Sequence, residues 1–433
     1  MRLVVKAEVR PSILNGTANP PPSKTYTHRA FVLGLLADGI TTVRNPLLGR
    51  DTSATIRACR AFGAEIVEGA QFMVSRPGHL ATPSDVINAD NSGTTIRIMT
   101  SIASLVKTGF VVLTGDSSIR TRPMGALLDA LHQLGVECWA ARLDGLPPII
   151  VKGGGMKGGE AKIRGDVSSQ YISSLLISCP YAEQSSSLHI EGELVSAPYL
   201  DATIRMIGLF GGKVETEGST YHVSINRRYK AADFTVPADF SSASFVLAGA
   251  AMTGGHVQIT NMNFDLPQAD MAIIDILQRM GATVRIDKDN GIVEASSSGE
   301  LDGGEFNLRN SPDLLPVLAA LALRSKGSMT IRGVAHARFK ETDRLKVLAM
   351  ELPKIGAEVR ELEDGLIIRA PKSWKTCTFD SHDDHRMFMA FSLAGVASRE
   401  GVLVEGVESV DVSYPNFVDD MKALSARLEV IQA

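Results

Sequence analysis

The chain has 433 residues, of which 44% are hydrophobic and 21% charged, and its net charge is -4. That length can bury large cores and admits about three domains by size alone, while the slight acidic balance argues against nucleic acid as a partner. The longest apolar stretches, such as Pro316 to Leu323, fall short of the ~18 residues of a membrane span. Cys59, Cys138, Cys179 and Cys377 are scattered without a Cys-x-x-Cys pair, which fits reduced core thiols and a cytoplasmic setting.

Met1 to Lys6 reads as a strand, continuing to Val9, and not as a signal peptide. Pro20, Pro21 and Pro22 break the chain, and Ser23 opens a helix with apolar residues at helical spacing from Thr25 to Ala37. It stops near Gly39; Thr41 to Val43 reads as a short strand and Asp51 to Phe62 as a second helix. After Gly63 come two strands, Glu65 to Val67 and Phe72 to Val74, the second leading out through Arg76, Pro77 and Gly78. The unit is therefore strand, helix, strand, helix, strand, strand, over about 70 residues.

This unit is predicted six times. Ser23, Ser92, Ser168, Ser241, Ser311 and Asp384 each open an apolar helix pattern. About 40 to 45 residues later a helix ends in Gly-x-x-apolar, at Gly63, Gly135, Gly211, Gly281 and Gly356, and Ser425 keeps the register in the sixth copy. Copies one to five each have two strands after that point, but the sixth has only Leu428 to Ile431, so the amino-terminal strand is expected to complete it. Three copies then form a domain at 20–234, and three more form a second at 235–433 closed by 1–19, with crossings at Pro20 to Pro22 and Tyr229 to Asp233. Two crossings between similar lobes make a hinge, and hinge closure excludes water from reactive substrates.

Helix amino ends present N–H groups and partial positive charge, and here several also carry cations. Lys24 and Thr25 follow Ser23, with Arg29 one turn on; Gly93 follows Ser92, with Arg97 one turn on; Arg386 follows Asp384. Arg122 lies in the loop from Gly115 to Pro123, and Lys340, Glu341 and Arg344 cluster in one segment. Taken singly, these are ordinary caps and surface ion pairs. Their recurrence at equivalent places in different copies points to small, multiply charged anions, phosphates and carboxylates foremost. His382, Asp383, Asp384 and His385 are metal-ligand types, but Asp384 falls at a cap position and the Arg386 cation follows directly, so no metal is expected.

Taken together, Pro21-Pro22-Ser23-Lys24-Thr25, Asn91-Ser92-Gly93-Thr94-Thr95-Ile96-Arg97, Arg122-Pro123, Ser168-Ser169-Gln170, Lys340-Glu341-Thr342-Asp343-Arg344 and Asp384-His385-Arg386-Met387 resemble the enolpyruvyl transferases, in order and along essentially the whole chain. The resemblance implies an α/β fold of two inside-out, barrel-like domains, each of three βαβαββ repeats, joined by two chain crossings. It also implies a cytoplasmic monomer, with no cofactor, metal, nucleic acid or membrane partner, that serves aromatic amino acid biosynthesis. The implied reaction moves the enolpyruvyl group of phosphoenolpyruvate to the 5-hydroxyl of shikimate 3-phosphate, through a tetrahedral intermediate that expels phosphate. By the same resemblance, shikimate 3-phosphate meets Lys24, Thr25, Arg29, Ser168, Ser169, Gln170, Ser196, Tyr199, Asp313 and Lys340. Phosphoenolpyruvate meets Lys24, Gly93, Arg122, Gln170, Arg344 and Arg386. The candidate catalytic residues are Glu341 as proton donor and Asp313 as base, with Lys24 able to share either task. Arginines clamp planar anions bidentately, a glycine at a helix start admits a ligand to the backbone, and addition needs distinct acid and base groups.

The sequence departs from the family pattern at Pro22, Ile98 and His336, where a glycine, a proline and an asparagine are usual, and at Val412, where many members carry a lysine that reaches phosphoenolpyruvate. Two alternatives remain. The sister enzyme acting on UDP-N-acetylglucosamine usually has a reactive cysteine in its mobile loop, and Gly115 to Arg122 has none. A non-catalytic anion-binding relative is favoured by Val412 and opposed by Lys24, Asp313 and Glu341.

Overall fold

The helix that opens each copy has almost no polar face, and such a helix must be buried on every side. The computed structural model describes residues 5–432 other than Pro77 and Arg227, and it places these helices inside. His385–Ala397 is buried throughout, Phe240–Thr253 everywhere but Thr253, and Lys24–Leu36 everywhere but Lys24 and Thr25. Strands such as Thr41–Arg44 and Ser186–Glu191 alternate buried and half-buried or exposed residues, as sheets with one face on a core do. This is the inside-out arrangement that the resemblance implies, though among the described residues no sheet closes into a barrel.

Six four-stranded sheets share one topology. In the second copy, Ile87–Asn88 runs parallel to Phe110–Thr114, which pairs antiparallel with Ile149–Lys152, which in turn pairs antiparallel with Cys138–Ala140. The sixth sheet obtains its missing strand from the amino terminus. Val5–Arg10 lies between Val402–Glu405 and Arg427–Gln432, antiparallel to both, with Ala7 opposite Val404 and Val430. The expected strand began earlier, but residues 1–4 lie outside the described residues.

The chain forms two compact units, Pro22–Pro237 and Ala238–Ala433, the latter including the amino-terminal segment up to Pro21. Each holds three of the six sheets. Both crossings fall between a leading strand and the helix after it. Asn15–Ala18 precedes the first helix in sequence but pairs in parallel with His256–Ile259 of the fourth copy. Asp233–Thr235 precedes the fourth helix but pairs in parallel with Thr41–Arg44 of the first. That second pairing carries the first unit to Pro237, beyond the 234 read from repeat spacing.

Two helix starts differ from expectation. The fourth helix is capped by Asp239, not Ser241: the Asp239 carboxylate accepts from Ser242 N at 3.0 Å, and Gln268 Oε1 accepts from Phe240 N at 3.0 Å. In the fifth copy Ser311 precedes a tight turn at Pro312–Leu314 that runs into the helix Leu315–Leu321. Pro312 and Pro316 have no N–H to donate, which suits the first turn of a helix and delays its regular ladder. In the second unit the three opening helices pack on one another, with Phe245, Leu318 and Phe391 fully buried and Phe391 stacked on Phe379 at 4.5 Å. All four cysteines are unpaired, and among the described residues no helix is long and apolar enough to cross a membrane.

Candidate active site

In Pro22–Pro237 the site is built on helix starts. Ser92 caps Gly93–Ala103 by accepting from Thr95 N at 3.2 Å, leaving the first-turn N–H groups without an intrahelical acceptor. Two cations lie against this end: a Cβ on Gly93 would stand 3.0 Å from Arg122 Nη1 and 3.4 Å from Arg97 Nη1. Arg122 Nη2 donates to Asn91 Oδ1 at 2.7 Å and Ser118 Oγ at 3.0 Å, and Asn91 donates to Asp116 Oδ2 at 2.7 Å. Arg97 donates to Gln170 Oε1 at 2.6 Å, and Gln170 Nε2 donates to Thr94 Oγ1 at 3.0 Å. Ser168 caps the helix Ser169–Ser178 by accepting from Gln170 N at 3.3 Å. These bonds bring Gly93, Arg122, Ser168, Ser169 and Gln170 to one helix end.

Lys24 stands at the first position of its helix and donates to Asp51 Oδ2 at 3.1 Å. The Asp51 carbonyl accepts from Thr95 Oγ1 at 3.4 Å, which ties Lys24 to the Gly93 helix. Arg29 is buried and bonds only neutral oxygens: Thr203 Oγ1 at 2.9 Å, Thr25 O at 3.0 Å, Tyr199 O at 3.1 Å and Ser173 Oγ at 3.3 Å. Burial pushes its pKa down to about 10. Ser196, at φ +57, stands just before Ala197–Leu209 without a side-chain capping bond, and the first turn of that helix carries Tyr199.

In the second unit Arg344 is the hub, with a side chain only 1% exposed. Its Nε donates to Asp384 Oδ2 at 2.8 Å, Nη1 to Asp313 Oδ1 at 2.9 Å, and Nη2 to Glu341 Oε2 at 2.8 Å and Asp384 Oδ1 at 3.3 Å. Burial opposes a charge there, but Asp384, Glu341 and Asp313 outweigh it and raise the pKa. Asp384 also caps its helix, accepting from Arg386 N at 2.9 Å. Asp313 also pairs with Arg386 Nη2 at 3.2 Å and Lys340 Nζ at 3.5 Å. His336 is buried near Lys340 and Asp313; burial, then the Lys340 charge, lowers its pKa to about 4, so its imidazole is neutral.

Cations thus lie over helix starts in one unit, and one arginine carries three carboxylates in the other. The family model described as EPSP synthase (3-phosphoshikimate 1-carboxyvinyltransferase) matches residues 9–421. The chain belongs to the EPSP synthase family. The 3-phosphoshikimate 1-carboxyvinyltransferase of Methanothermobacter thermautotrophicus is 46% identical over 418 residues, covering 96% of this chain and 97% of that protein. That of Methanocaldococcus jannaschii is 42% identical over 430 residues, covering 99% of each. Among solved structures, an EPSP synthase from Acinetobacter baumannii matches with a TM-score of 0.81 at 28% identity, covering 99% of this chain and 100% of that one. The UDP-N-acetylglucosamine alternative finds no support in these names.

Of the expected site residues, ten lie in the first unit, and Asp313, Lys340, Glu341, Arg344 and Arg386 lie in the second. Arg344 was expected to clamp the substrate anion, and four of its hydrogen bonds already reach protein carboxylates. The sequence reading gave no role to Asp51, and it took Asp384 only as a cap. An acid in the first turn of a helix is common for dipole reasons alone, so Asp51 carries no distinguishing signal. Arg97, quoted in the motif without a role, could have been found: one turn after Gly93, it shares its face of the helix. Val412 is buried at the end of a short helical turn, Val407–Val412.

Proposed function

We infer that the chain transfers the enolpyruvyl group of phosphoenolpyruvate to the 5-hydroxyl of shikimate 3-phosphate and releases inorganic phosphate. What carries this reading, within the EPSP synthase family, is that one buried guanidinium, Arg344, holds both Asp313 and Glu341. Addition bonds the hydroxyl oxygen to C2 of phosphoenolpyruvate; the hydroxyl proton leaves and the methylene carbon gains one. Elimination then removes a proton from that carbon as the C2–O bond to phosphate breaks. Two separate groups must handle these protons. Asp313 takes the hydroxyl proton, Glu341 supplies the methylene proton, and Lys24, fixed by Asp51, assists either step.

Shikimate 3-phosphate is held by Lys24, Thr25, Arg29, Ser168, Ser169, Gln170, Ser196, Tyr199, Asp313 and Lys340. The buried Arg29 charge, bonded only to neutral oxygens, favours an anion nearby. Phosphoenolpyruvate is held by Lys24, the Gly93 helix start, Arg122, Gln170, Arg344 and Arg386. To clamp it, Arg344 exchanges one carboxylate partner for the substrate. No oxidation state changes and side chains move both protons, so the reaction calls for no cofactor. The enzyme acts as a cytoplasmic monomer, which the four unpaired cysteines suit.

The test mixes the protein with phosphoenolpyruvate and either shikimate 3-phosphate or UDP-N-acetylglucosamine, and follows phosphate release. Release with shikimate 3-phosphate alone is expected; none with it sinks the reading. Asp313→Asn and Glu341→Gln should each lower kcat by roughly 100-fold or more without loss of the folded state. Near-normal turnover removes that residue from the mechanism.

A further inference from the structure

Asp270 sits in the turn Ala269–Ala272, is only 2% exposed, and takes no part in the steps above. Ser241 Oγ donates a close hydrogen bond to its Oδ2. Gln268, two residues earlier, fastens the turn to the start of Phe240–Thr253, accepting from Phe240 N at 3.0 Å and donating to Ala238 O at 2.9 Å. The carboxyl is therefore held in place from two directions.

Three charged groups from three elements face it: Asp239 at the cap of Phe240–Thr253, Asp313 in Pro312–Leu314, and Arg386 in the first turn of His385–Ala397. The helix that continues from the turn, Ile273–Arg279, brings Asp275 and Arg279, which are exposed and pair with each other at 3.8 Å. Arg386 is itself 3% exposed. Burial opposes its charge, but Asp313, Asp270 and Asp239 outweigh both that and the repulsion of Arg344. An anion arriving at Arg386 therefore meets a guanidinium whose field is already offset by buried carboxylates.

We propose that Asp270 is a positioning residue for phosphoenolpyruvate, its charge state setting how strongly Arg386 attracts the substrate anion. The proposal rests on the reading of Arg386 as a phosphoenolpyruvate contact. Burial and then the Asp313 charge push the Asp270 pKa up to about 7, against the pull of Arg386 and Ser241. Asp270 thus loses its proton in the neutral range. Protonated, it leaves the Arg386 charge available to the substrate; ionised, it adds a buried negative charge that opposes the incoming anion.

The experiment measures KM for phosphoenolpyruvate from pH 6 to 9 in the wild type and in Asp270→Asn, whose amide mimics the neutral acid. Substrate ionisation is common to both and cancels in the ratio. The two values should coincide near pH 6, and by pH 9 the wild-type KM should exceed the variant's by about tenfold, the effect of one nearby charge. A ratio that stays flat overturns the proposal. Ser241→Ala removes the donor that favours the ionised form, so it should move the wild-type inflection to higher pH. An unmoved inflection counts against the proposal, and this variant decides the matter if Asp270→Asn does not fold. Arg386→Ala separates the two readings. If it leaves KM unchanged, the reading of Arg386 fails; if it raises KM while the Asp270→Asn ratio stays flat, only the role of Asp270 fails.

Discussion

Replacing Ser425 with glycine should stabilise the protein, because five copies of the repeat use glycine where the sixth uses serine. Gly63, Gly135, Gly211, Gly281 and Gly356 have φ between +78° and +100°, and Ser425 holds the same conformation at φ +74°. A residue with a Cβ costs about 1–2 kcal/mol there, and glycine loses roughly 0.5–1 kcal/mol more conformational entropy on folding, so Ser425→Gly should gain about 0.5–1 kcal/mol net. Two reverse substitutions in the same unit calibrate the series. A Cβ on Gly281 would meet only Asp302 Oδ2 at 3.5 Å, an ordinary contact, so Gly281→Ala reports backbone strain and should cost about 0.5–1 kcal/mol. A Cβ on Gly356 would fall 2.4 Å from the Ser373 carbonyl oxygen, so Gly356→Ala adds a backbone clash and should cost about 1–3 kcal/mol beyond Gly281→Ala. Urea unfolding reads all three as shifts in midpoint at constant slope. A neutral or destabilising Ser425→Gly beside a well-behaved Gly281→Ala refutes the strain argument. A Gly356→Ala no worse than Gly281→Ala refutes the steric one.

Arg344→Met removes the buried guanidinium that three carboxylates share and should cost about 3–5 kcal/mol, a fall of on the order of 10 °C in melting temperature for a unit of this size. The folded variant then binds more protons than the unfolded chain, so its stability should fall as pH rises from 5 to 8; a variant that melts with the wild type contradicts the hub. Inorganic phosphate at about ten times its Kd should stabilise the wild type by about 1.4 kcal/mol in a thermal melt. Arg29→Met should abolish that protection, and equal protection in the variant removes Arg29 as the anion's partner.

The repeat was legible because its signals are local. Helices apolar on every side and a left-handed residue at a fixed offset each act within a few residues, and the strand Val5–Arg10 was assigned because the sixth copy is one strand short. The exchange of leading strands was not legible. Asn15–Ala18 sits just before the first helix in sequence, and nothing in its own residues marks His256–Ile259 as its partner. The Asp239 cap was missed because three cap-forming residues, Asp239, Ser241 and Ser242, crowd that start, and a distant side chain, Gln268, decides among them. The same limit applies at Arg344. Its pair with Glu341 lies three residues away and shows in the sequence, whereas Asp313 lies 31 residues away at the start of the same copy and Asp384 lies 40 residues away in the next.

The two units treat anions on different terms, and the difference bears on how a carboxylic acid can work among cations. In Pro22–Pro237 the site guanidiniums bond mostly neutral oxygens, Arg29 those of Thr203 and Thr25 and Arg122 those of Asn91 and Ser118, so an anion gains their attraction without displacing a carboxylate. In the second unit Arg344 and Arg386 are already paired with Asp313, Glu341 and Asp384, and an anion must compete for them. A carboxylate that yields its guanidinium to the substrate loses the interaction that favoured its ionised form and gains a negative neighbour in its place; both changes raise its affinity for a proton. Under this reading Glu341 is not a resting acid. Substrate binding makes it one by taking over Arg344, so the unit that locks its cations supplies the proton chemistry, while the unit that leaves them unlocked supplies the standing attraction for phosphate.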